Sequence, residues 1–554
     1  MLWLALHLPM LSLESWAATR GPDQNDRPLA LLHDHQVVHA DALALVRGVR
    51  PGMKRATALA LAPELLLAAA DASRDTQALR AVAHVALAFS PAVTWATPAG
   101  WAARPRSSGL ASDARPAPCP ALVGVRLEVQ SCLRYFGGLP ALLDRLRSAL
   151  APLGHSVRIA SAPTALGAAL LAAWRDDLAL GPHTAAHPVP HPAGRNSASD
   201  ALQRLLDALP LHLLGPEPQQ LQALQGMGLH TLADLRTLPR AGLARRFGPE
   251  LLARIDQARG HAPEAQVWLS LPQHFDSRIE LLCRADTSAQ VLAGAQVLLA
   301  RLLAWAGARQ SRIVRFSLVM HHERQRRDSQ TPEHSSLDIA PALPAADPQH
   351  LYSLLAERLG RLPLAAPALE LSLRCEQLST GAPPNAELFA SRASEREGLA
   401  RLVDRLQARL GTAQVQCLAA VPDHRPEHGT RWQPADAARL GAQLQPQPLR
   451  LRLPLAPGAA AHALAAQPLW LLPTARALAT QAQGPLLDGQ ALQLLAGPNR
   501  LESGWWDAQG PAVRDYFIAQ TRSGALVWVY RHRLPDGEAG QPAASGWFLQ
   551  GLFA

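Results

Sequence analysis

Apolar and polar positions along the chain change rhythm several times. From residue 1 to about 165, short apolar runs alternate with helical periodicities. Leu2 to Leu8 has the length and continuity of a buried strand, and a helix starts over Leu11 to Trp16. Leu122 to Val129 predicts a second strand, Gly137-Gly138 a turn, Leu139 to Leu150 a helix, and Ser156 to Ser161 a third strand. Strands separated by helices imply an α/β layer. The Ala, Pro, Ser and Gly of residues 96–120 read as a loop insertion. A second loop, His183 to Ser199, carries His183, His187 and His191, but no carboxylate or cysteine frames them as a metal site.

Residues 200–260 break into short helices. Gly215-Pro216 precedes a helix to Gln225, Gly226-Met227-Gly228 turns the chain, and Thr231 with Asp234 resembles a capping box. Helix N-termini at such glycine turns suit phosphate contact, and equally serve as ordinary packing units. Residues 272–378 then predict a β-α-β-β-α-β order: strand His274–Arg284, helix Ala289–Ala306, strand Arg312–Met320, short strand Ser335–Ile339, helix His350–Leu362 and strand Ala368–Gln377. Alternation places Val314, Phe316, Leu318 and Met320 on one face of the second strand, and Leu369, Leu371, Leu373 and Cys375 inward on the last. Arg324, Arg326 and Arg327 at a strand end either touch phosphates or form a solvated turn.

A Pro-flanked linker follows, containing Asn385-Ala386-Glu387-Leu388-Phe389. The helix Glu395–Leu410 shows an apolar stripe of Leu399, Leu402, Val403, Leu406 and Leu410. Residues 422–466 read as a loose connection. The last 90 residues are rich in aromatics, with strands at Asp515–Gln520 and Ala525–Arg531 around the turn Arg522-Ser523-Gly524, and a terminal apolar stretch, GWFLQGLFA.

With 554 residues, three or four domains are expected. The 48% hydrophobic content supplies packed cores, and 18% charged residues argue against wholesale disorder. The net charge of +9 favours polyanions. Lys54 is the single lysine, however, and an Ala, Leu, Arg and Pro excess also follows from GC-rich coding. The five cysteines lie far apart with no CxxC pair, which fits a reducing cytoplasm and argues against a zinc ribbon or disulfide framework. The N-terminus lacks a basic leader, and no run of about 20 apolar residues is apparent, so neither a signal peptide nor a membrane span is expected.

Several segments resemble the Y-family of translesion DNA polymerases, and within it the catalytically deficient, UmuC-like ImuB branch. Ser12-Leu13-Glu14 matches the end of the family's opening acidic motif, which places its acidic positions on Ala5 and His7. Ala42–Met53 resembles the fingers segment, with the triphosphate-gripping Tyr and Arg falling on Ala42 and Leu45. Leu122–Gly138 resembles the second acidic motif, with its Asp-Glu pair on Val123 and Gly124. Arg158–Leu170 resembles the palm motif, its Asn-Lys pair and second Lys falling on Ala162, Pro163 and Gly167. GPNRLESGWWD, RDYF and the terminal WFLQGLFA resemble the branch's C-terminal extension.

The resemblance implies an α/β multi-domain fold: a palm over 1–175 with a fingers insertion at about 25–65, a helical thumb over 200–265, and a βαββαβ little finger over 272–378. A linker over 379–394, a helix and connection over 395–444, and an aromatic-rich, β-containing partner-binding region over 445–554 complete it. Two-metal phosphoryl transfer needs carboxylates around two divalent ions. Ala, Val and Gly cannot supply them, so the expectation is a non-catalytic scaffold with no cofactor and no bound metal. Its implied partners are primed or damaged DNA, the sliding clamp, a RecA-like protein (ImuA) and an error-prone replicative-type polymerase. The DNA contacts would be Gly226, Gly228, Arg324, Arg326 and Arg327. The clamp contacts would be Asn385, Leu388 and Phe389, unless that Leu-Phe pair packs on its own domain. Trp505, Trp506, Trp528 and Trp547 either bind partners or form a small β core. The alternative is an active low-fidelity polymerase using Glu14 or Glu128.

Overall fold

The computed structural model describes residues 1–21, 24, 26–96, 122–178, 197–323, 332–381, 392–436, 468, 470–481, 484–507, 511–533 and 546–553. The chain divides into two compact units, Met1–Arg405 and Leu406–Ala554.

The first unit opens with β1 (Trp3–His7), α1 (Leu11–Ala17), β2 (Leu29–His33), β3 (Gln36–Ala40), α2 (Ala42–Val46), α3 (Arg55–Leu61), β4 (Leu66–Ala69) and α4 (Ala72–Leu87). It continues through β5 (Val93–Ala96), β6 (Gly124–Glu128), α5 (Leu133–Phe136), α6 (Leu139–Leu150), β7 (Arg158–Ala162) and α7 (Ala165–Trp174). β1 lies at the interior of a four-stranded sheet in the order β5-β6-β1-β7, antiparallel at every pair. Its continuous apolar run has a direct cause, because both faces are covered. Leu2, Leu4, Leu6 and Leu8 pack with α4 and α6, whereas Trp3 and Ala5 pack with α7 and the helices beyond it. β2, β3 and β4 form a separate small sheet, with α2 and α3 alongside.

Next come α8 (Ser197–Asp207), α9 (Pro218–Gly226), α10 (Leu232–Arg236), α11 (Arg240–Phe247) and α12 (Pro249–Arg259). The capping box read at Thr231 is present, with Asp234 accepting from the His230 and Thr231 amides. A βαββαβ layer follows: β8 (Phe275–Ala285), α13 (Ser288–Ala308), β9 (Ser311–His322), β10 (His334–Ile339), α14 (Pro348–Arg361) and β11 (Ala368–Thr380), with strand order β10-β9-β11-β8.

Four sequence expectations are corrected in this stretch. Leu369 is exposed, because a register shift between Ala368 and Glu370 puts Ala368 inside instead. Val314 is only half-buried, and Ile313 takes the core position. α13 is long and apolar enough to cross a membrane by length and composition, although no such segment was expected. Here its Leu298, Leu302 and Trp305 are buried within the layer. Of the stripe on α15 (Arg392–Leu410) Val403 is buried, with Ala400, Asp404 and Ala408, whereas Leu402, Leu406 and Leu410 are exposed, so the packed face is rotated from the predicted one. A polar anchor sets that rotation. The Asp404 carboxylate accepts from the Ala342 amide (3.0 Å) and sits 3.2 Å from His350 Nε2.

The second unit replaces part of the expected loose connection with a hairpin of β12 (Gln416–Ala420) and β13 (Thr430–Pro434). β14 (Trp470–Gln481), β15 (Gly484–Leu487), β16 (Gln490–Ala491), β17 (Gln493–Ser503), β18 (Ala512–Gln520), β19 (Leu526–His532) and β20 (Trp547–Leu552) form one seven-stranded sheet. Across it Tyr516 stacks on Trp528 (4.1 Å between centroids) and Tyr530 on Phe548 (5.1 Å), and Tyr516 meets Tyr530 tilted at 5.3 Å.

Candidate functional site

Strand register brings together Ala5, His7 and Gly124, three of the four positions to which the resemblance assigned the acidic residues. Gly124, His7 and Arg158 make one row across β6, β1 and β7, and Arg126, Ala5 and Ala160 make the next. Ala5 is buried. His7 Nδ1 lies 3.1 Å from the Val123 carbonyl, which fits a proton on Nδ1. Burial, with Arg158 alongside, holds the His7 imidazole below its ordinary pKa.

Gly124 decides how much this row can change. A Cβ there would lie 2.2 Å from the Leu6 carbonyl oxygen, so an acid at this position requires the β1–β6 backbone to move. Gly167, on which the resemblance places the second palm lysine, is closed in the same way. A Cβ on Gly167 would meet Thr164 Oγ1 at 2.6 Å and the Ala258 carbonyl at 2.8 Å, where Thr164 bonds Ala258 of α12. Ala162 is fully packed.

The segment after α12 lies against this face. Glu264 pairs with Arg126 (3.3 Å) and accepts from the Leu166 amide at the start of α7 (3.0 Å). Trp268 stacks on Trp3 with centroids 6.0 Å apart, and the Leu269 amide donates to the Val93 carbonyl. An arginine now stands one row from His7, held by a carboxylate that itself braces the start of a helix. Sequence reading missed Glu264, because nothing local marks a residue nearly 140 positions from its partner.

The two acids considered for residual catalysis are engaged elsewhere. Glu128 accepts from the Leu2 and Gln130 amides, and Glu14 accepts from Ser156 and faces His155. Those bonds hold the Glu14 carboxyl below its ordinary pKa against the opposing effect of burial. Among the described residues no cluster of three metal-ligating side chains occurs.

The remaining sites scatter. Gly226 ends α9 and Gly228 turns the chain at φ +77°, both exposed. Close in sequence, Arg245 and Arg246 are exposed at the end of α11, a basic doublet the sequence reading passed over. Arg324, Arg326, Arg327, Asn385, Leu388 and Phe389 lie outside the described residues. Trp528 and Trp547 belong to the β core, whereas Trp505 and Trp506 are 74% and 58% exposed and meet edge to face at 4.6 Å. Arg425 braces their turn. Its guanidinium bonds Asp507 (2.9 Å) and Asp423, and leaves only 2.8 Å for a Cβ at Gly504.

The open face of the βαββαβ sheet carries charge of both signs. His334, His321, Glu370 and Glu280 form one row, and Asp338, Ser317, Arg374 and Asp276 another. Arg278 pairs with Glu370, Arg374 with Asp276, and Arg315 with Asp338.

No protein-family model matches the chain. Protein ImuB of Caulobacter vibrioides (strain NA1000 / CB15N) is 30% identical over 522 residues, covering 91% of this chain and all of that protein. The chain belongs to the ImuB family. The same protein from strain ATCC 19089 of that species matches equally. Solved structures similar to this ImuB-family chain include DNA polymerases, among them a Y-family chimera of Dbh and Dpo4. A Dbh ternary complex is 12% identical, with a TM-score of 0.35, over 68% of this chain and 98% of that one. DinB from Sulfolobus solfataricus is 13% identical, with a TM-score of 0.35, over 69% of this chain and all of that one.

Proposed function

We propose that this ImuB-family chain is a non-catalytic scaffold of damage-induced mutagenesis that holds DNA while other proteins carry out synthesis. The observation that carries the reading is the palm row itself. Where two-metal chemistry needs paired carboxylates, the chain has Ala5, His7 and a Gly124 with no room for a side chain, beside an Arg126–Glu264 pair. That row offers no pair of carboxylates to hold two divalent ions, and Glu264 is already engaged by Arg126 and the Leu166 amide.

DNA contact falls on the thumb, at the Gly226–Gly228 turn and the Arg245–Arg246 doublet, through phosphate rather than bases. Partner contact falls on the braced Trp505–Trp506 pair, since paired exposed tryptophans on a fixed turn lose little entropy on docking. The sliding clamp, a RecA-like protein and an error-prone replicative-type polymerase are the partners in this reading, in a reducing cytoplasm. The linker residues Asn385, Leu388 and Phe389 are the clamp contact.

The test has two arms on the purified full chain. Affinity for primed duplex DNA should fall steeply between about 50 and 200 mM salt, and clamp pull-down should be lost on replacing Leu388 and Phe389 together by Ala. Salt-independent or absent DNA binding would remove the scaffold's DNA role, and unchanged pull-down would move the clamp contact elsewhere.

A further inference from the structure

The long helix α13 is apolar on more sides than its packing uses. It buries Leu298, Leu302 and Trp305 in its own layer, and sets Ala300 and Ala304 against the palm core. A further strip, Leu299, Leu303 and Gly307, borders a groove of about 780 Å³ that Phe89 of α4, Leu153 after α6 and Tyr352 of α14 help to wall. None of the described side chains lining this groove is charged. A phosphate or carboxylate would lose its water there and find no counter-ion. The occupant that fits is uncharged and apolar.

One segment of this chain has both its ends at that groove. Thr380, the last residue of β11, is in register with Ser311 of β9, and Ser311 lines the groove. Gly381 follows beside Arg312, where a Cβ would lie 3.7 Å from Arg312 Nε. Beyond the linker, Glu397 of α15 returns to the same Arg312 at 2.9 Å. The segment between, 382–391, lies outside the described residues. Its sequence holds one carboxylate, Glu387, no basic residue, and the adjacent Leu388 and Phe389. Extended chain from Arg392 back to Leu388 reaches about 13 Å, which holds the pair near the groove whatever its conformation.

We propose that Leu388 and Phe389 occupy this groove in the free protein, so that the linker withholds its own clamp contact until a clamp competes for it. The proposal rests on the reading that this pair is the clamp contact. A short tether at both ends gives the pair a high effective concentration at the groove. A clamp meets only the fraction of molecules whose pair is undocked, and its apparent affinity falls by that fraction.

The experiment is hydrogen exchange on the purified full chain, read over residues 385–390, with sliding-clamp pull-down on the same samples. Those amides should exchange about tenfold or more slower than in a free peptide of the same sequence. Gly307→Trp fills the groove from an exposed helix position where a Cβ meets nothing within 4 Å, so thermal melts should be unchanged. It should remove the protection and raise clamp recovery by about threefold or more. Replacing Leu388 and Phe389 together by Ser empties the groove, and binding of an apolar dye should rise. Adding Gly307→Trp to that variant should cancel the rise. Unprotected amides in the unaltered chain, or equal protection in the Gly307→Trp variant, overturn the docking. Protection lost without a gain in clamp recovery overturns the withholding. The clamp reading fails separately, if the Ser variant is pulled down as well as the unaltered chain while the protection is as expected.

Discussion

The two four-stranded sheets of the first unit handle charge in opposite ways. The β5-β6-β1-β7 sheet is covered on both faces by helices. Its charged groups each have a partner: Arg126 pairs with Glu264 of the segment after α12, Arg158 donates to the Ala173 carbonyl, Glu128 accepts from backbone amides, and the His7 imidazole is held below its ordinary pKa by burial. The β10-β9-β11-β8 sheet is covered on one face only. On the other it keeps Arg278, Arg315 and Arg374 against Asp276, Glu280, Glu370, Glu376 and Asp338. Desolvation explains the difference. A charge inside the first sheet costs several kcal/mol unless fully partnered, whereas a solvated pair on the second is worth about 0–1 kcal/mol either way. In the proposed scaffold no metal ion offsets their burial, and carboxylates on this covered face would be a liability. The open face can accumulate pairs at almost no cost, yet three arginines outnumbered by five acids offer little to a phosphate backbone.

The sharpest way to break this contrast is to force an acid back into the covered sheet. Gly124→Glu should destabilise the chain by about 3 kcal/mol or more, because a Cβ at 2.2 Å from the Leu6 carbonyl must displace backbone. Glu280→Gln, on the open face, should shift stability by less than about 0.5 kcal/mol. Urea unfolding of both variants makes the comparison, and equal small losses would mean that the palm backbone yields.

Acidification should discriminate the sheets next. His84 on α4 is buried under the palm, has no partner for Nε2, and is pushed down to about 4 by burial and Arg80. A depressed histidine pKa gives stability that is complete above about 6.5 and lost as pH falls toward 4, to a limit of about 3 kcal/mol. Thermal melts should therefore fall between pH 6.5 and 4, and His84→Leu should flatten the profile. His321 and His334 lie on the solvated face, and replacing both by Gln should leave the profile almost as steep.

The smallest effect concerns DNA. Arg245→Glu with Arg246→Glu on the thumb should weaken binding by about tenfold and reduce its salt dependence. Arg278→Ala with Arg374→Ala should change it by about twofold or less, since those arginines already face carboxylates. The reverse order in a salt-titrated binding assay would return the DNA interface to the sheet.

Much of the architecture was legible from pattern. The helix over Leu139–Leu150, the Thr231 cap and the βαββαβ order follow from periodicity and turn chemistry acting over a few residues. Failures arose where a distant polar contact outweighed the local pattern. The Leu stripe of α15 gave way to Asp404 holding Ala342 and His350, and alternation on β11 gave way to a register shift after Ala368. The positions that the resemblance assigns to the palm motifs could be counted along the sequence. Their closure could not, because it depends on Leu6, Thr164 and Ala258 arriving from other elements. The separation of the four tryptophans into two core and two exposed residues likewise needed the sheet.

Primer extension by the purified full chain on a primed template, with Mg²⁺ and then Mn²⁺, tests the central claim most directly. The account predicts no extension with either ion, while the protein still binds the same template in a salt-sensitive manner. Extension that disappears when Glu14 or Glu128 is replaced by Gln would contradict it, and would make those engaged carboxylates the catalytic ones.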